Sequence, residues 1–355
     1  MLQWFTGENL RCVEKVEVNE LGRLNIFEGR NGAGKTSILE GMHLLGRGRS
    51  FRTARVSELQ TKGSGFLRVV GGVQSDSGVC VVGLERRGQL MDLRVAGVRA
   101  ERASVLASCL PLLVIRPESQ ELITGGSEGR RKLLDWVLFH VEHGYGVQHA
   151  RYRRVLQQRN SALKAGSSAR ALRVWDKEFL ETARVLHDAR TRFFDARAGD
   201  LRSRIDELVG FPVDVQYTSG WPTAVGLEQT LRDSFARDRT QGFTGNGPHR
   251  CDLQLTVRET KARNVLSRGE SKLTILGLLL ALADVVKQLG IPPVLLIDDL
   301  ASELDQHARE RFFGAVSMTG CQAFVSTVDG ALIPEPWRAT AVMFHVEHGA
   351  VTRVI

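Results

Sequence analysis

The sequence has 355 residues, 43% of them hydrophobic and 25% charged, and a formal net charge of +8. That length suggests about two domains with ample material for a core, and the composition excludes a disordered or fibrous chain. The longest apolar run, residues 273–283, is too short to span a bilayer and is closed by Asp284. The first fifteen residues carry Glu8, Arg11, Glu14 and Lys15 and no long apolar stretch, so no signal peptide is expected. Cys12, Cys80, Cys109, Cys251 and Cys321 are scattered without metal-ligand spacing and are expected as reduced thiols in the cytoplasm.

Residues 1–27 have the alternation of β-structure, ending in the apolar run Leu24-Asn25-Ile26-Phe27. Gly29-Arg30-Asn31-Gly32-Ala33-Gly34-Lys35-Thr36-Ser37 follows, a complete G-x-x-x-x-G-K-[ST] phosphate-binding loop. Ile38, Leu39, Met42 and Leu45 then recur at helical spacing. Strand, glycine loop and helix are the context this motif needs. Its backbone N–H groups and the helix N-terminus suit phosphate. Lys35 is expected to reach the β- and γ-phosphates of a nucleoside triphosphate, and the Thr36 hydroxyl to ligate Mg²⁺. Arg47, Arg49, Arg52 and Arg55 come next, facing either ligand phosphate or solvent.

Residues 66–98 alternate between turn signals at Ser75-Asp76-Ser77-Gly78, Arg86-Arg87-Gly88-Gln89 and Ala96-Gly97, which predicts an antiparallel meander. A short buried strand is expected over residues 110–115. From 130 to 209 the pattern is helical. Leu133, Leu134, Val137 and Leu138 make one stripe, Val155, Leu156 and Leu163 a second, and Leu172, Val174, Trp175, Phe179 and Leu186 a third. Gly166-Ser167-Ser168 marks a turn between helices. Residues 130–204 hold 17 Lys/Arg against 8 Asp/Glu, so the net basicity resides there. A concentrated basic segment suits a polyanion, or else a solvated face laced with ion pairs. Its aromatics, Tyr145, Tyr152, Trp175, Phe179, Phe193 and Phe194, include several at core-like positions, which argues against base stacking.

Strand-and-turn character returns near 211, with a helix expected over 226–239, a loop over 242–248 and a strand over 252–257. Phe-His-Val-Glu-His-Gly occurs twice, at 139–144 and 344–349. Its H-x-E-H order matches neither H-E-x-x-H nor H-x-x-E-H, so no metal site is expected. In a strand, His345 and Glu347 would share one face and His348 would point away.

Leu266-Ser267-Arg268-Gly269-Glu270-Ser271-Lys272 precedes an apolar helix. Ser267 has a hydroxyl to donate and Gly269 admits backbone N–H groups to an anion; a plain helix cap reads the same residues. Val294-Leu295-Leu296-Ile297 is a buried strand ending in Asp298-Asp299. Asp298 is expected to hold the Mg²⁺ water shell and Asp299 to position or activate the attacking water. Ser302-Glu303-Leu304-Asp305 follows, then a strand, residues 322–327, with Ser326-Thr327 at its end.

In their order, the phosphate loop, residues 266–272, the acidic strand and residues 302–305 resemble an ABC-type ATPase. More narrowly they resemble the RecF family of bacterial recombination mediators, related to Rad50 and SMC heads. Gly48-Arg49-Ser50-Phe51-Arg52, Arg116-Pro117-Glu118, Gly125-Gly126 and Arg130-Arg131 add to the likeness, which spans nearly the whole chain. The implied fold is an α/β P-loop ABC-type ATPase head, residues 1–115 plus 240–355, with an antiparallel β subdomain and an inserted helical arm, residues 116–239. Ser127 stands where the family often has Pro. Asp299 in place of the transporters' Glu, and Ser326-Thr327 in place of a switch histidine, imply slow turnover. Gln120 lies near the expected glutamine loop.

The signature, Ser267 and Gly269, lies about 230 residues beyond the phosphate loop. The family architecture implies that it caps the γ-phosphate held by a second subunit, so that ATP closes a homodimer. The resemblance further implies DNA-stimulated ATPase activity, with Lys35, Ser267 and Asp299 catalytic. It implies binding of gapped or single-stranded DNA, the partners RecO and RecR, loading of RecA, and roles in replication restart and the SOS response. A transporter ATPase subunit is the alternative. Such subunits place loop and signature much closer together and turn their inserted arm to a membrane partner. A DNA clamp with incidental turnover is a third possibility.

Overall fold

The structure, a computed structural model, describes residues 1–75 and 78–354, and the expected turn residues Asp76 and Ser77 lie outside that range, as does Ile355. The chain forms two compact units, residues 1–119 with 279–355, and residues 120–278. Residues 240–278, which the sequence pattern puts with the head, belong to the second unit.

The first unit opens with β1 (Leu2–Leu10), β2 (Val13–Val18), β3 (Leu24–Glu28) and α1 (Lys35–Arg47). Next come β4 (Leu67–Ser75), β5 (Gly78–Arg87), β6 (Leu90–Val95), β7 (Val98–Arg99), α2 (Ala103–Cys109) and β8 (Leu112–Ile115). The second unit follows with α3 (Glu121–Thr124), α4 (Ser127–Val141), α5 (Tyr145–Lys164), α6 (Ala169–Val209), β9 (Asp214–Thr218) and α7 (Leu227–Gln241). It continues with β10 (Asp252–Val257), β11 (Thr260–Lys261), α8 (Ala262–Val265) and the start of α9 (Arg268–Leu289). The first unit resumes within α9 and closes with β12 (Val294–Ile297), α10 (Gln306–Thr319), β13 (Gln322–Thr327), α11 (Glu335–Arg338), β14 (Val342–Glu347) and β15 (Ala350–Arg353).

Two six-stranded sheets build the first unit. The expected meander joins the N-terminal hairpin in the order β2-β1-β4-β5-β6-β7. The second sheet runs β15-β14-β3-β13-β12-β8, with β14, β3, β13, β12 and β8 mutually parallel. Ile38, Leu39, Met42 and Leu45 of α1 are fully buried in one core with Phe5 and Val69 from the first sheet and Phe27, Leu296 and Phe324 from the second. The parallel register pairs Ile297 with Val325 and Ser326 with Phe27, so the phosphate loop, Asp298 and Ser326 gather at the C-terminal ends of neighbouring strands. That edge is where open α/β sheets bind ligands.

In the second unit α5 and α6 pack together, and β11-β10-β9 form a small antiparallel sheet. The 41 residues of α6 give it a length of about 60 Å. The expected stripes are buried at Leu133, Leu134, Val137, Leu138, Val155, Leu163, Leu172, Phe179 and Leu186. Val174 differs: it is 70% exposed, because Leu172 and Phe179 already set the buried face. In the second Phe-His-Val-Glu-His-Gly copy, His348 has a left-handed backbone (φ 50°) in the β14–β15 turn, so the strand alternation stops before it.

Among the described residues of the basic segment, Arg130, Arg159 and Arg190 are buried, and Arg159 and Arg190 lie deepest. Arg190 is 2% exposed and bonds Asp135, the Tyr145 hydroxyl and the Pro248 carbonyl, at 2.7, 3.1 and 2.8 Å. Arg159 is 1% exposed and holds Asp176 at 2.8 Å and Thr244 at 2.6 Å. They fasten residues 244–248 to the helices. Arg190→Ala should cost about 3 kcal/mol of stability, since it breaks the buried ion pair with Asp135 and leaves the Pro248 carbonyl without that donor, although Asp135 keeps Tyr145 and His149; a urea-unfolding midpoint unchanged from wild type would contradict this.

His249 reports on the same loop. Its Nε2 lies 2.9 Å from the Thr244 carbonyl, which only accepts, so Nε2 carries the proton and Nδ1 accepts from Tyr152 at 2.7 Å. Burial lowers its pKa to about 4. A folded pKa below the unfolded value near 6.5 means that the unfolded chain binds more protons, so stability falls as pH drops below about 6.5. The unfolding midpoint should therefore decline between pH 7 and 5, and His249→Asn should flatten that decline.

Candidate nucleotide site

The loop conformation follows from its glycines. A Cβ on Gly29 would stand 2.2 Å from the Val346 carbonyl oxygen, so only glycine lets the loop pass β14. Gly34 caps α1 with φ 115°, a region that side chains disfavour. Lys35 begins the helix 3% exposed, and its Nζ donates to the Gly29 and Arg30 carbonyls at 2.7 and 3.1 Å. Two of its three donors thus brace the loop around it.

Opposite stands the acidic strand end. Asp298 Oδ1 accepts from Thr36 Oγ1 at 2.9 Å and from Ser326 Oγ at 2.7 Å. Burial raises the Asp298 pKa, the hydroxyls of Ser326 and Thr36 oppose the rise, and the neighbouring Asp299 charge adds to it. Asp299 has a left-handed backbone (φ 46°), which short acidic residues tolerate, and its N–H donates to Ser326 Oγ at 2.9 Å. Ser326 therefore holds both aspartates. A hydroxyl and carboxylates grouped in this way are hard oxygen donors of the kind Mg²⁺ takes, so the residues fit the expected cation.

A cavity of about 370 Å³ lies over the loop. Its lining includes Asn31, Gly32, Gly34, Lys35, Thr36, Ser37 and Asp299, together with Arg11, Cys12 and Arg52. The structure thus gathers the phosphate-loop residues, Asp298 and Asp299. Arg52 resolves the post-loop arginine run: it lines the cavity, whereas Arg55 pairs with Glu58. Arg11 escaped sequence reasoning, since a single arginine in a hairpin turn carries no motif; its place depends on the β1–β2 turn reaching the loop. Gln120 lies at the end of a short 3₁₀ turn, before α3.

The signature residues Ser267, Arg268, Gly269 and Glu270 are all exposed at the start of α9. Ser267 N–H donates to Glu270 Oε2 at 2.8 Å and Glu270 N–H to Ser267 Oγ at 3.3 Å, a reciprocal capping box. Nothing lies within 4 Å of a Cβ on Gly269, so its backbone is open to approach.

A phosphate loop after β3 and an acidic end on β12, parallel strands with β13 between them, together with an antiparallel sheet across α1, define an ABC-type ATPase head. The head is of the SMC kind: the Smc head of Pyrococcus yayanosii superposes with a TM-score of 0.62 at 13% identity, covering 99% of this chain and 96% of that one. A solved structure described as the recombination mediator RecF with ATPrS in the RecFOR pathway covers 100% of this chain and 98% of its own, with a TM-score of 0.87 at 23% identity. The family model of the RecF/RecN/SMC N-terminal domain matches residues 1–352. The DNA replication and repair protein RecF of Shewanella piezotolerans is 35% identical over 349 residues, 97% of either chain. The chain belongs to the RecF family of DNA replication and repair proteins. A transporter ATPase subunit finds no support in these likenesses, and among the described residues no helix is long and apolar enough to cross a membrane.

Lys35→Ala should weaken ATP binding by about tenfold to a hundredfold, the worth of one charge-assisted bond. Titration with a fluorescent ATP analogue checks this, and an unchanged Kd would remove the loop from nucleotide binding.

Proposed function

We propose that ATP closes two copies of this chain into a dimer that holds gapped or junction DNA, and that slow hydrolysis opens it. Lys35 and the loop amides bind the phosphates of one ATP, Thr36 with Asp298 holds Mg²⁺, and Asp299 positions the attacking water. Ser267 and the Gly269 amide of the second copy cap the same γ-phosphate. Bound Mg²⁺ supplies charge neutralisation of the phosphates. The exposure of the signature carries this reading: residues 267–270 lie open on the surface with no ligand role in their own capping box. A few charge-assisted bonds of about 1.5–3 kcal/mol each suffice to close a weak dimer.

The arm is the proposed DNA contact. Ion pairs occupy Arg151, Arg184, Arg192 and Arg202. Arg153, Arg154, Lys164, Arg170 and Arg173 lie outside those pairs, are exposed, and belong to α5 or the start of α6. The 20-residue α5 contains no acidic residue. Tyr145, Tyr152, Phe179, Phe193 and Phe194 are buried, which favours backbone contacts over stacking. The chain's likeness to RecF of the RecFOR pathway supports RecO and RecR as partners in loading RecA on gapped DNA in the cytoplasm, with roles in replication restart and the SOS response.

Glutamine at Arg153, Arg154, Lys164, Arg170 and Arg173 should weaken DNA binding and leave ATP affinity alone. Its log–log salt slope should flatten by about 0.9 for each DNA phosphate that is no longer neutralised. An unchanged slope places the DNA elsewhere. Asp299→Asn, which suits the left-handed backbone, should retain ATP binding and prolong the DNA-bound dimer; unaltered DNA dissociation in ATP would refute hydrolysis as the release step.

A further inference from the structure

Glu40 lies on α1, one turn beyond Thr36, and is 1% exposed. A carboxylate at that depth is costly unless each oxygen is satisfied. Oε2 accepts from Arg11 Nε at 2.5 Å, and Oε1 accepts from Arg11 Nη2 at 2.9 Å. Oε1 also accepts from the Ser50 hydroxyl. Ser50 Oγ in turn accepts from the Arg52 and Thr53 N–H groups at 2.8 and 3.0 Å, which fixes the turn that carries Arg52. The turn is further pinned by His43, whose Nδ1 donates to the Arg49 carbonyl at 2.7 Å, and by the Phe51 ring set edge-on to His43. Arg11 and Arg52 come from opposite sides of α1 in sequence, yet both line the cavity over the phosphate loop.

We propose that Glu40 is a positioning residue for the triphosphate: one buried carboxylate holds Arg11 directly, and Arg52 through Ser50, against the nucleotide cavity. The inference rests on the reading of that cavity as the ATP site. A bidentate carboxylate fixes the plane of a guanidinium, and although Arg11 Nη1 also donates to the Glu58 carbonyl at 3.3 Å, each outer nitrogen keeps one N–H for a second anion. The Glu40 hydrogen bond also raises the Arg11 pKa, keeping it cationic. Because Glu40 shares a helix with Lys35 and Thr36, the loop and both arginines stand on one rigid element.

The test is a thermodynamic cycle on the full chain. Glu40→Gln, isosteric and uncharged, is made in the wild type and in an Arg11→Ala/Arg52→Ala background, and the affinity for a fluorescent ATP analogue is titrated in each. We expect about a tenfold loss in the wild type and none in the arginine-free background. Equal losses in both backgrounds would mean that Glu40 merely supports the helix and would overturn the proposal. Failure of the unsubstituted chain to bind the analogue would instead overturn the nucleotide reading itself. Should Glu40→Gln not fold, Ser50→Ala tests the Arg52 branch: a loss seen only where Arg52 is present supports it, and an equal loss without Arg52 refutes it.

Discussion

Asp298 ends a strand whose four residues are all buried, and one of its oxygens takes two hydroxyl hydrogen bonds, from Thr36 and Ser326. Those three residues sit on three different segments of the chain. A half-buried carboxylate is stabilised only while its donors stay in place. The triangle therefore demands that β3, β13 and β12 lie side by side, parallel and in a single register. That demand fixes the central sheet and with it the position of the loop. The stability cost of charge at a strand end is the same feature that makes the site suited to a divalent cation.

Around this triangle the head is built as a sandwich on α1. The helix packs apolar side chains into the core shared with both sheets, and carries Lys35 and Thr36 in its first turn and Glu40 one turn further on. Lys35 and Thr36, proposed to meet phosphate and cation, and Glu40, which holds Arg11, thus belong to one helix, while Asp298 meets Thr36 from the end of β12. Movement of that helix, or of the β1–β2 turn bearing Arg11, would be felt at every contact to the phosphates.

Much of this was legible in the sequence because it depends on local pattern. The phosphate loop, the meander, the apolar strand before Asp298 and the stripes of α4 all follow from spacing and turn chemistry within a few residues. Non-local features escaped. Arg11 joins the site only through the folded β1–β2 turn. Arg159 and Arg190 read as part of a polyanion-binding run, whereas tertiary packing buries them as struts beneath residues 244–248. Composition counts charge but does not say which charges face water. By contrast, the 41 residues of α6 were legible, since the helical pattern runs from the turn at residues 166–168 to residue 209 without a break.

The exposed signature and the nucleotide cavity make sense together when a second copy completes each site, and that is the claim on which the functional account stands. Mixing two inactive variants tests it most directly. Lys35→Ala lacks a working loop and Ser267→Arg lacks a working signature. Analytical ultracentrifugation with ATP should find each variant monomeric alone, and their mixture forming a dimer through the one composite site left intact. A Ser267→Arg variant that dimerises by itself, or a mixture that stays monomeric where the wild type dimerises, would contradict the account.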